Sequence, residues 1–534
     1  LPGFAPGRRA GQLADEAALR AAVDPARLSA WHDLLSSRPH VAGSPGDREV
    51  IDALAREMAA MGLEVEVQEL DLYLPRPVRA ELTVVSPERV PLELQEAAFP
   101  GDPWSDHPEL DYGWNAYSGS GEVEAGVVYA NFGTKEDFAR LAALGVEVAG
   151  KIVVARYGGN FRGYKARFAE EAGAVGLVIY GDPEDGGYVR GRMWPEGGWA
   201  NGTAIQRGSV LTLPYPGDPL TPFVPALATD DAAGGGAAVE RLDPDAVDFP
   251  GIPVQPVGWA AAAEILSRMT GPAVPEEWQG ALPFNYRLTG GDELRVRLRV
   301  EQERRLVRTA NVVGTLVGER FPEQKVIVGC HHDAWSFGAG DPNAGSILVL
   351  EAARAFAQAA REGRRPDRSI VFAHWAAEEF GILGSVEWVE AHAADLAENA
   401  VAYVNLDMAA MGPRFRASAT PSLAELVIAA SREAAQAGAP ETTVFAAWAG
   451  DEGEPRLGAL GGGSDHVGFY GHLGVPSISL GAGGSPGVSY HTNYEDLAWY
   501  RRVVGDDYES ARMLTEVVVT AAARLAEADL APLD

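Results

Sequence analysis

KVIVGCHHDAWSFGAGDPNAG, residues 325–345, is the stretch that decides the fold of this 534-residue chain. It opens on an aliphatic run, residues 326–328, that is typical of a buried strand, and residues 346–359 then carry apolar side chains at helical spacing. The polar residues between these two predicted elements are His331, His332, Asp333 and Asp341. A strand that delivers histidine and aspartate into a loop before a helix is the layout of a metal site.

The composition is that of a large, acidic, globular protein. The length of 534 residues predicts about two to four domains, and 46% hydrophobic residues provide enough apolar material for full-sized cores. The formal charge of −31 argues against nucleic acid and anionic membrane surfaces as partners, because both need a cationic face. No apolar run reaches the length of a membrane span. The chain begins at Leu1 rather than Met, so we expect a removed N-terminal segment and favour an extracytoplasmic location.

The chain contains two kinds of sequence pattern, one of long strands and helices and one of short β-rich runs. Residues 14–37 and 48–61 predict helices, and residues 62–75 (GLEVEVQELDLYLP) predict a strand that stops at a proline. Short β-rich runs between glycine and proline turns follow and predict an inserted domain, after which long strands and helices alternate and predict a doubly wound α/β sheet. The predicted division is a main domain in two parts (1–76 and 306–505), an insert (77–305) and a C-terminal helical segment (506–534).

Polar residues collect at the carboxyl ends of the strands predicted in the second part of the main domain. After the first strand come RSIVFAHW (368–375), AVAYVNLD (400–407) and VPSISLG (475–481). In open α/β sheets, ligands bind beyond these ends. The residues that fall there are His331, Asp333, Glu378, Glu379, Asp407, His491 and Asp496.

Imidazole and carboxylate ligands without thiolate suit zinc or a similar divalent ion in a catalytic role, and this set is large enough for two ions that share a carboxylate. Two such ions can hold a hydroxide and stabilise a tetrahedral oxyanion. Of the neighbours Glu378 and Glu379, one is expected to bind metal and the other to act as general base. His332 should face away from His331 and pack, whereas Asp333 shares the face of His331 and is placed to orient its ring.

Five motifs make the pattern specific. They are HHDAWSFGAGDPNAG (331–345), FAHWAAEEFGILGSVEWVE (372–390), YVNLD (403–407), LGGGSDHVGFYGHLGVP (460–476) and YHTNYED (490–496). In this order they resemble the glutamate carboxypeptidase II and transferrin receptor superfamily of di-zinc exopeptidases, over nearly the whole chain. The insert resembles the protease-associated, or apical, domain of that family through residues 150–185 and GDPLTP (217–222). The implied fold is a mixed, doubly wound zinc-peptidase domain with this β-rich domain inserted.

The resemblance also assigns roles. It implies a hydrolase of small peptides in which a metal-bridging hydroxide attacks the peptide carbonyl. Implied zinc ligands are His331 and Asp407 for one ion, Glu379 and His491 for the other, and Asp341 as the bridge. Glu378 would be the general base, and Tyr490 would donate a hydrogen bond to the tetrahedral intermediate.

Three further residues are carried over as substrate contacts. Arg162 falls where the carboxypeptidases of the family bind the substrate's C-terminal carboxylate, a task that suits a guanidinium. Arg416 is what remains of the family's arginine patch, and Ser464 lies in a matching motif. Where the family has an arginine pair, this chain reads SLGAGG (479–484), so we expect a broader or more apolar preference than for acidic penultimate residues.

The resemblance implies a calcium ion and a dimer as well. The family's calcium site is matched by Thr221, Val224, Glu387 and Glu390, and oxygen ligands of this kind fit calcium. A homodimer is an implied partner. The helical domain that supplies much of that interface would begin near residues 524–534, so we expect it to be truncated or differently built here.

Three functions stay open. Arg162 favours a carboxypeptidase. An aminopeptidase uses the same metal core and grips the other end of the substrate. A non-catalytic scaffold like the transferrin receptor keeps the fold and loses the ligands, whereas here all five ligands and Glu378 are present.

Overall fold

The computed structural model describes residues 1, 3–100, 102–228 and 239–533. Its helices are α1 (Arg9–Ala21), α2 (Pro25–Leu35), α3 (Pro45–Met61), α4 (Lys135–Ala143), α5 (Arg162–Glu171), α6 (Pro183–Gly186), α7 (Trp259–Leu266), α8 (Asn343–Arg361), α9 (Leu383–Ala391), α10 (Ala393–Asn399), α11 (Ala424–Ser431), α12 (Val444–Ala449), α13 (Leu497–Val503) and α14 (Glu509–Glu527). Its strands are β1 (Glu64–Ser86), β2 (Val90–Leu92), β3 (Asn115–Ala116), β4 (Gly121–Ala125), β5 (Val127–Tyr129), β6 (Ile152–Arg156), β7 (Gly176–Tyr180), β8 (Gly208–Ser209), β9 (Val254–Val257), β10 (Arg295–Leu316), β11 (Phe321–His331), β12 (Arg368–Trp375), β13 (Ala400–Asn405), β14 (Arg414–Ala419), β15 (Ala435–Gln436), β16 (Ala439–Thr443) and β17 (Ser477–Gly483).

The large sheet has the order β14-β17-β13-β11-β12-β10-β1-β2, and β4 pairs with β10. Its centre is parallel, with β12, β11, β13 and β17 side by side, and β10 and β14 run antiparallel to their neighbours. Val326 and Val328 of β11 pack into the core on one face, whereas Ile327 packs into a second core on the other face. Burial on both faces explains the unbroken aliphatic run and confirms the mixed, doubly wound sheet.

Two long strands connect the large sheet to the insert. β1 and β10 pair along almost their whole length, so the predicted boundaries at residues 76 and 306 fall in the middle of both strands. The prediction that the first strand stops at Pro75 was wrong. The N–H groups of Asp71 and Tyr73 point away from β10, towards Ala226 and Asp218. The nitrogen of Pro75, two residues after Tyr73, faces that same side. The proline therefore removes no hydrogen bond to β10.

The insert has a hydrophobic core of its own. A four-stranded parallel sheet, β5-β6-β7-β9, is packed with α4, α5 and α7. The distal halves of β1 and β10 contribute Leu82 and Leu298 to that core. The run GEVEAGVVYAN, expected as part of a β-rich domain, divides at Gly126, because β4 joins the large sheet and β5 opens the small one.

The C-terminal helix α14 is buried in the core of the main domain. It packs against α1, α8 and α11, and its side chains belong to the same hydrophobic cluster. Buried Arg524 of α14 forms a bidentate ion pair with Glu16 of α1. Helix α14, expected as the start of a helical domain that is truncated or absent, therefore packs as part of one layer of the main domain. In the described ranges, no helix is both long enough and apolar enough to cross a membrane.

Candidate metal centre

The predicted ligands meet beyond the carboxyl ends of the parallel strands. Two groups of three have their ligand atoms within 4.8 Å of one another: His331, Asp341, Asp407 and Asp341, Glu379, His491. Asp341 belongs to both groups, with Oδ1 3.0 Å from His331 Nε2 and Oδ2 3.1 Å from His491 Nε2. One carboxylate with an oxygen directed at each half has the geometry of a bridge.

Each half is completed by a second carboxylate. Asp407 Oδ1 lies 3.3 Å from His331 Nε2, and Glu379 Oε2 lies 3.0 Å from His491 Nε2. Glu379 Oε1 is buried without a hydrogen-bond partner. Two imidazoles, three carboxylates and an unsatisfied buried oxygen fit a pair of zinc ions, because zinc takes nitrogen and oxygen ligands at catalytic sites.

The electrostatics of the centre call for cations. Burial raises the pKa of Glu379 well above its ordinary value, and the neighbouring Asp341 raises it further. Burial would lower the pKa of His331, but Asp407 and the other carboxylates outweigh it and raise that pKa well above the usual value. Positive charge between these side chains would relieve the mutual repulsion of the carboxylates.

Backbone carbonyls orient both imidazoles. His331 Nδ1 donates to the carbonyl of Asp333 at 3.0 Å, and His491 Nδ1 donates to the carbonyl of Arg207 at 3.2 Å. With Nδ1 engaged, Nε2 of each ring carries the lone pair that a metal binds. Asp333 was expected to orient His331 through its carboxylate, which lies 3.6 Å away, and the backbone carbonyl is the closer partner.

Strained backbone surrounds the cluster. Ala377, Met408 and His491 are non-glycine residues with φ of 52°, 45° and 60°. Ala377 precedes Glu378, Met408 follows Asp407, and His491 is itself a candidate ligand. Left-handed backbone costs about 1–3 kcal/mol per residue and concentrates at functional sites. Strained backbone at these three positions is therefore typical of a preorganised functional site.

Glu378 and Tyr490 border the two half-sites. Glu378 begins the 3-10 turn Glu378–Phe380, and its Oε2 lies 4.0 Å from His331 Nε2. Burial raises the pKa of Glu378 well above the ordinary value for a glutamate. The ring of Tyr490 stacks on His491 with centroids 3.6 Å apart. Both side chains therefore lie beside candidate metal ligands, Glu378 beside His331 and Tyr490 beside His491.

Arg162 reaches this centre from the insert. It is the first residue of α5, and its positive charge opposes the rise that burial causes in the pKa of Tyr490. Its guanidinium lies against Gly208, where any Cβ would collide with it. Arg162 Nε is buried without a hydrogen-bond partner, and no carboxylate among the described residues forms an ion pair with this side chain.

The other two predicted substrate contacts have different surroundings. Ser464 Oγ donates to Asp407 Oδ2 at 2.8 Å and accepts from Asn405 Nδ2 at 2.9 Å, so this hydroxyl holds a candidate ligand in place. Arg416 is exposed on the edge strand β14, opposite Gly481 of β17. Contact of either residue with substrate stays a prediction.

Two candidates from the strand ends lie outside the cluster. His332 faces away from His331, with Nε2 3.0 Å from the carbonyl of Ala310 and Nδ1 3.2 Å from Asp47. Asp496 caps α13 by accepting the N–H of Trp499 at 2.8 Å. Both are buried structural residues.

Sequence reasoning missed Glu495, which holds the backbone of two candidate ligands, Asp341 and His491. Its Oε1 accepts the N–H of Asp341 at 2.9 Å, and its Oε2 accepts the N–H of His491 at 2.7 Å. The residue stands in the YHTNYED motif between two candidates, but a carboxylate that binds backbone amides leaves no periodic pattern. Its position in the motif was the only available signal.

The predicted calcium residues converge at a second acidic site. Glu387 accepts the N–H groups of Asp218 and Ala226, each at 2.6 Å. Both carboxylate oxygens of Glu390 are buried without a hydrogen-bond partner. Asp218 is a third buried carboxylate, which sequence reasoning missed although it lies in GDPLTP.

Thr221 and Val224 lie in the turn beside these carboxylates. Thr221 Oγ1 is 3.5 Å from Asp218 Oδ1, and the carbonyl of Thr221 accepts the N–H of Val224 at 3.1 Å. The Val224 side chain is exposed. The structure thus places the Thr221 hydroxyl at the acidic site. Val224 has only its backbone carbonyl available as a ligand.

Comparison with known proteins follows the two domains. Residues 311–502 match Peptidase family M28, and residues 119–214 match the PA domain. The chain is 33% identical over 508 residues to "Probable glutamate carboxypeptidase VP8" of Zea mays, a match that covers 94% of this chain and 66% of that protein. It is 31% identical over 538 residues to "Aminopeptidase NAALADL1" of Mus musculus, which covers 94% of this chain and 70% of that protein. The chain belongs to peptidase family M28.

Solved structures of M28 proteins have the same fold. The "Peptidase M28 precursor" of Shewanella amazonensis SB2B aligns with a TM-score of 0.62 and 19% identity over 98% of both chains. At that identity the likeness concerns the fold alone. This M28 chain spans 60–72% of the length of the curated relatives it matches.

Proposed function

We propose that this M28 chain is a two-zinc exopeptidase that releases residues from the C-terminus of small peptides. The observation that carries the proposal is Arg162, a cation beside Tyr490 with a buried, unpartnered Nε and no carboxylate partner among the described residues. A guanidinium in this setting binds a planar carboxylate through two parallel hydrogen bonds. The free C-terminus of a peptide is such a carboxylate.

The residues of the centre divide the hydrolytic work. Zinc ions held by His331 with Asp407 and by His491 with Glu379, joined through Asp341, would supply Lewis acidity and lower the pKa of a bound water. Glu378 takes the proton of the attacking water and delivers it to the amine nitrogen as the peptide C–N bond breaks.

Tyr490 stabilises the carbonyl oxygen during this step. Burial raises the pKa of the Tyr490 phenol well above its ordinary value, so the O–H keeps its proton and can donate it to a hydrogen bond. The ring's stacking on His491 fixes its direction. A donor aimed at the developing oxyanion lowers the barrier to attack.

An aminopeptidase on the same metal core is the second candidate, since two relatives, from Mus musculus and Rattus norvegicus, carry that name. A dipeptide with a blocked N-terminus and a free C-terminus separates the two when compared with a free-amine dipeptide that is C-amidated. We expect cleavage of the N-blocked substrate. Cleavage of the amidated one alone would overturn the carboxypeptidase proposal, and zinc-free, well-folded protein would favour a non-catalytic scaffold.

We propose in addition that Asp218, Glu387, Glu390 and Thr221 hold one structural calcium ion. The support is the buried carboxylates of Asp218 and Glu387 together with the two oxygens of Glu390, which are buried without a hydrogen-bond partner. Carboxylate, hydroxyl and carbonyl oxygens are the ligands that calcium takes. Calcium titration followed by thermal unfolding tests this site.

A further inference from the structure

We infer that a buried ion pair in the inserted segment, Glu96 with Arg207, is a positioning pair for one of the two metal half-sites and acts through His491. The inference rests on the proposed two-zinc function. On this inference, Glu96 and Arg207 support the metal centre although both lie outside the ligand motifs.

The pair is built as a rigid brace. Arg207 is fully buried, with Nη1 2.7 Å from Glu96 Oε1 and Nη2 2.9 Å from Glu96 Oε2. The same nitrogens also donate to the carbonyls of Ile205 at 3.1 Å and Asp111 at 2.6 Å. A buried guanidinium with this many fixed acceptors leaves the backbone around Arg207 little freedom.

Both backbone groups of Arg207 hold His491. The N–H of Arg207 donates to the carbonyl of His491 at 3.1 Å, and the carbonyl of Arg207 accepts from His491 Nδ1 at 3.2 Å. The brace therefore fixes the peptide of His491 and the rotation of its ring together. Nε2 is thereby directed at Asp341 and Glu379.

Glu96 also binds the loop that carries His491. It accepts the N–H of Asn493 at its Oε1 and the side-chain amide of Asn493 at its Oε2, each at 3.1 Å. One carboxylate thus joins the segment of Arg207 to residues 491–493. Replacing that carboxylate weakens every contact at once.

Strain explains why His491 needs such support. Its φ of 60° is unfavourable for a residue with a side chain, at a cost of about 1–3 kcal/mol. Without the brace the backbone would relax and the ring would turn. His331 does not depend on the insert, because its ring is held by the carbonyl of Asp333 in its own loop. Loss of the brace should therefore weaken one half-site and spare the other.

The test is Glu96→Gln in the full chain, with Glu16→Gln as the matched control. Glu16 forms the same kind of buried bidentate pair with Arg524, at 3.1 and 2.8 Å, between helices that hold no metal ligand. Zinc per chain is measured by mass spectrometry after dialysis against increasing chelator, beside the thermal unfolding temperature and the kinetic constants.

We expect Glu96→Gln to lose one of two zinc ions at about 10–100-fold lower chelator than the wild type, with a lower kcat and an unchanged KM. Glu16→Gln should lower the unfolding temperature and keep wild-type zinc retention. Should Glu96→Gln fail to fold, Glu96→Asp keeps the charge with shorter reach and should give an intermediate loss.

Wild-type zinc retention in folded Glu96 variants would overturn this inference alone. Simultaneous, equal loss of both ions would also overturn it, because the brace is assigned to one half-site. A wild-type chain that holds no zinc would instead overturn the proposed function on which the inference rests.

Discussion

Asp333 accepts the backbone N–H of Glu378 at 2.9 Å with its carboxylate, while its own carbonyl accepts from His331 Nδ1. The residue thereby fixes the turn that carries Glu378, the proposed general base, relative to a candidate ligand. Asp333→Ala removes the carboxylate, including its approach to 3.6 Å from His331 Nδ1, and keeps the carbonyl, so we expect kcat to fall about 10–100-fold with zinc retained. Asp333→Asn keeps an oxygen acceptor and should be milder. Steady-state kinetics with zinc content measures both, and wild-type kcat in the alanine variant would refute this role.

Glu378→Gln should separate chemistry from metal binding. The amide keeps the shape of the side chain and cannot accept a proton, so we expect kcat to fall by about 10²–10⁴ or more with two zinc ions still bound. Glu379→Gln is the matched neighbour. It should lose zinc from the His491 half, because Glu379 Oε2 lies 3.0 Å from His491 Nε2. Turnover at the wild-type rate in Glu378→Gln would show that the base is another residue.

Arg162→Lys should weaken the grip on the substrate carboxylate. A lysine keeps the charge and loses the bidentate fork, and a lost charged hydrogen bond of about 2 kcal/mol corresponds to a roughly 30-fold rise in KM for an N-blocked dipeptide. Arg167→Lys is the control, because Arg167 lies on the same helix, is exposed and pairs with Glu171 at 3.2 Å. An unchanged KM in Arg162→Lys would contradict the assignment.

Calcium should stabilise the protein more at high pH. Burial raises the pKa of Glu390 from 4.5 to about 7, so between these values the folded state binds more protons than the unfolded state. Stability from this group is therefore lost as the pH rises towards 7, and a bound cation restores it. We expect calcium to raise the unfolding temperature at pH 8 more than at pH 6, and Glu390→Gln to remove the difference. A calcium effect that survives Glu390→Gln would place the ion elsewhere.

The ligand cluster was predictable from sequence because parallel strands end at one edge of a sheet. His331, Glu379 and Asp407 follow three such strands, and the order of the strands alone brings them together. The role of Asp341 as the bridge between the two half-sites was implied only by family resemblance, because the position of its side chain depends on the path of the loop after His331. The path of β1 through two prolines was not foreseen, because the side on which each N–H points is set by the neighbouring strand.

The supports of the centre were not predictable in the same way. Glu495 accepts the N–H of Asp341, and the N–H of Arg207 donates to the carbonyl of His491, so each contact joins residues far apart in the chain and imposes no spacing on the sequence. The same holds for Asp218 at the acidic site, which becomes significant only when α9 packs Glu387 against it. Sequence patterns identify residues that lie on the same helix or strand. Residues that are joined only through a common contact partner are identified from the folded structure.

The zinc content of the purified, folded chain tests the two-metal account most directly. Elemental mass spectrometry after dialysis against metal-free buffer should give two zinc ions per chain, one for each histidine bridged by Asp341. Folded protein with no zinc, or with a single ion that neither His331→Ala nor His491→Ala removes, would contradict it.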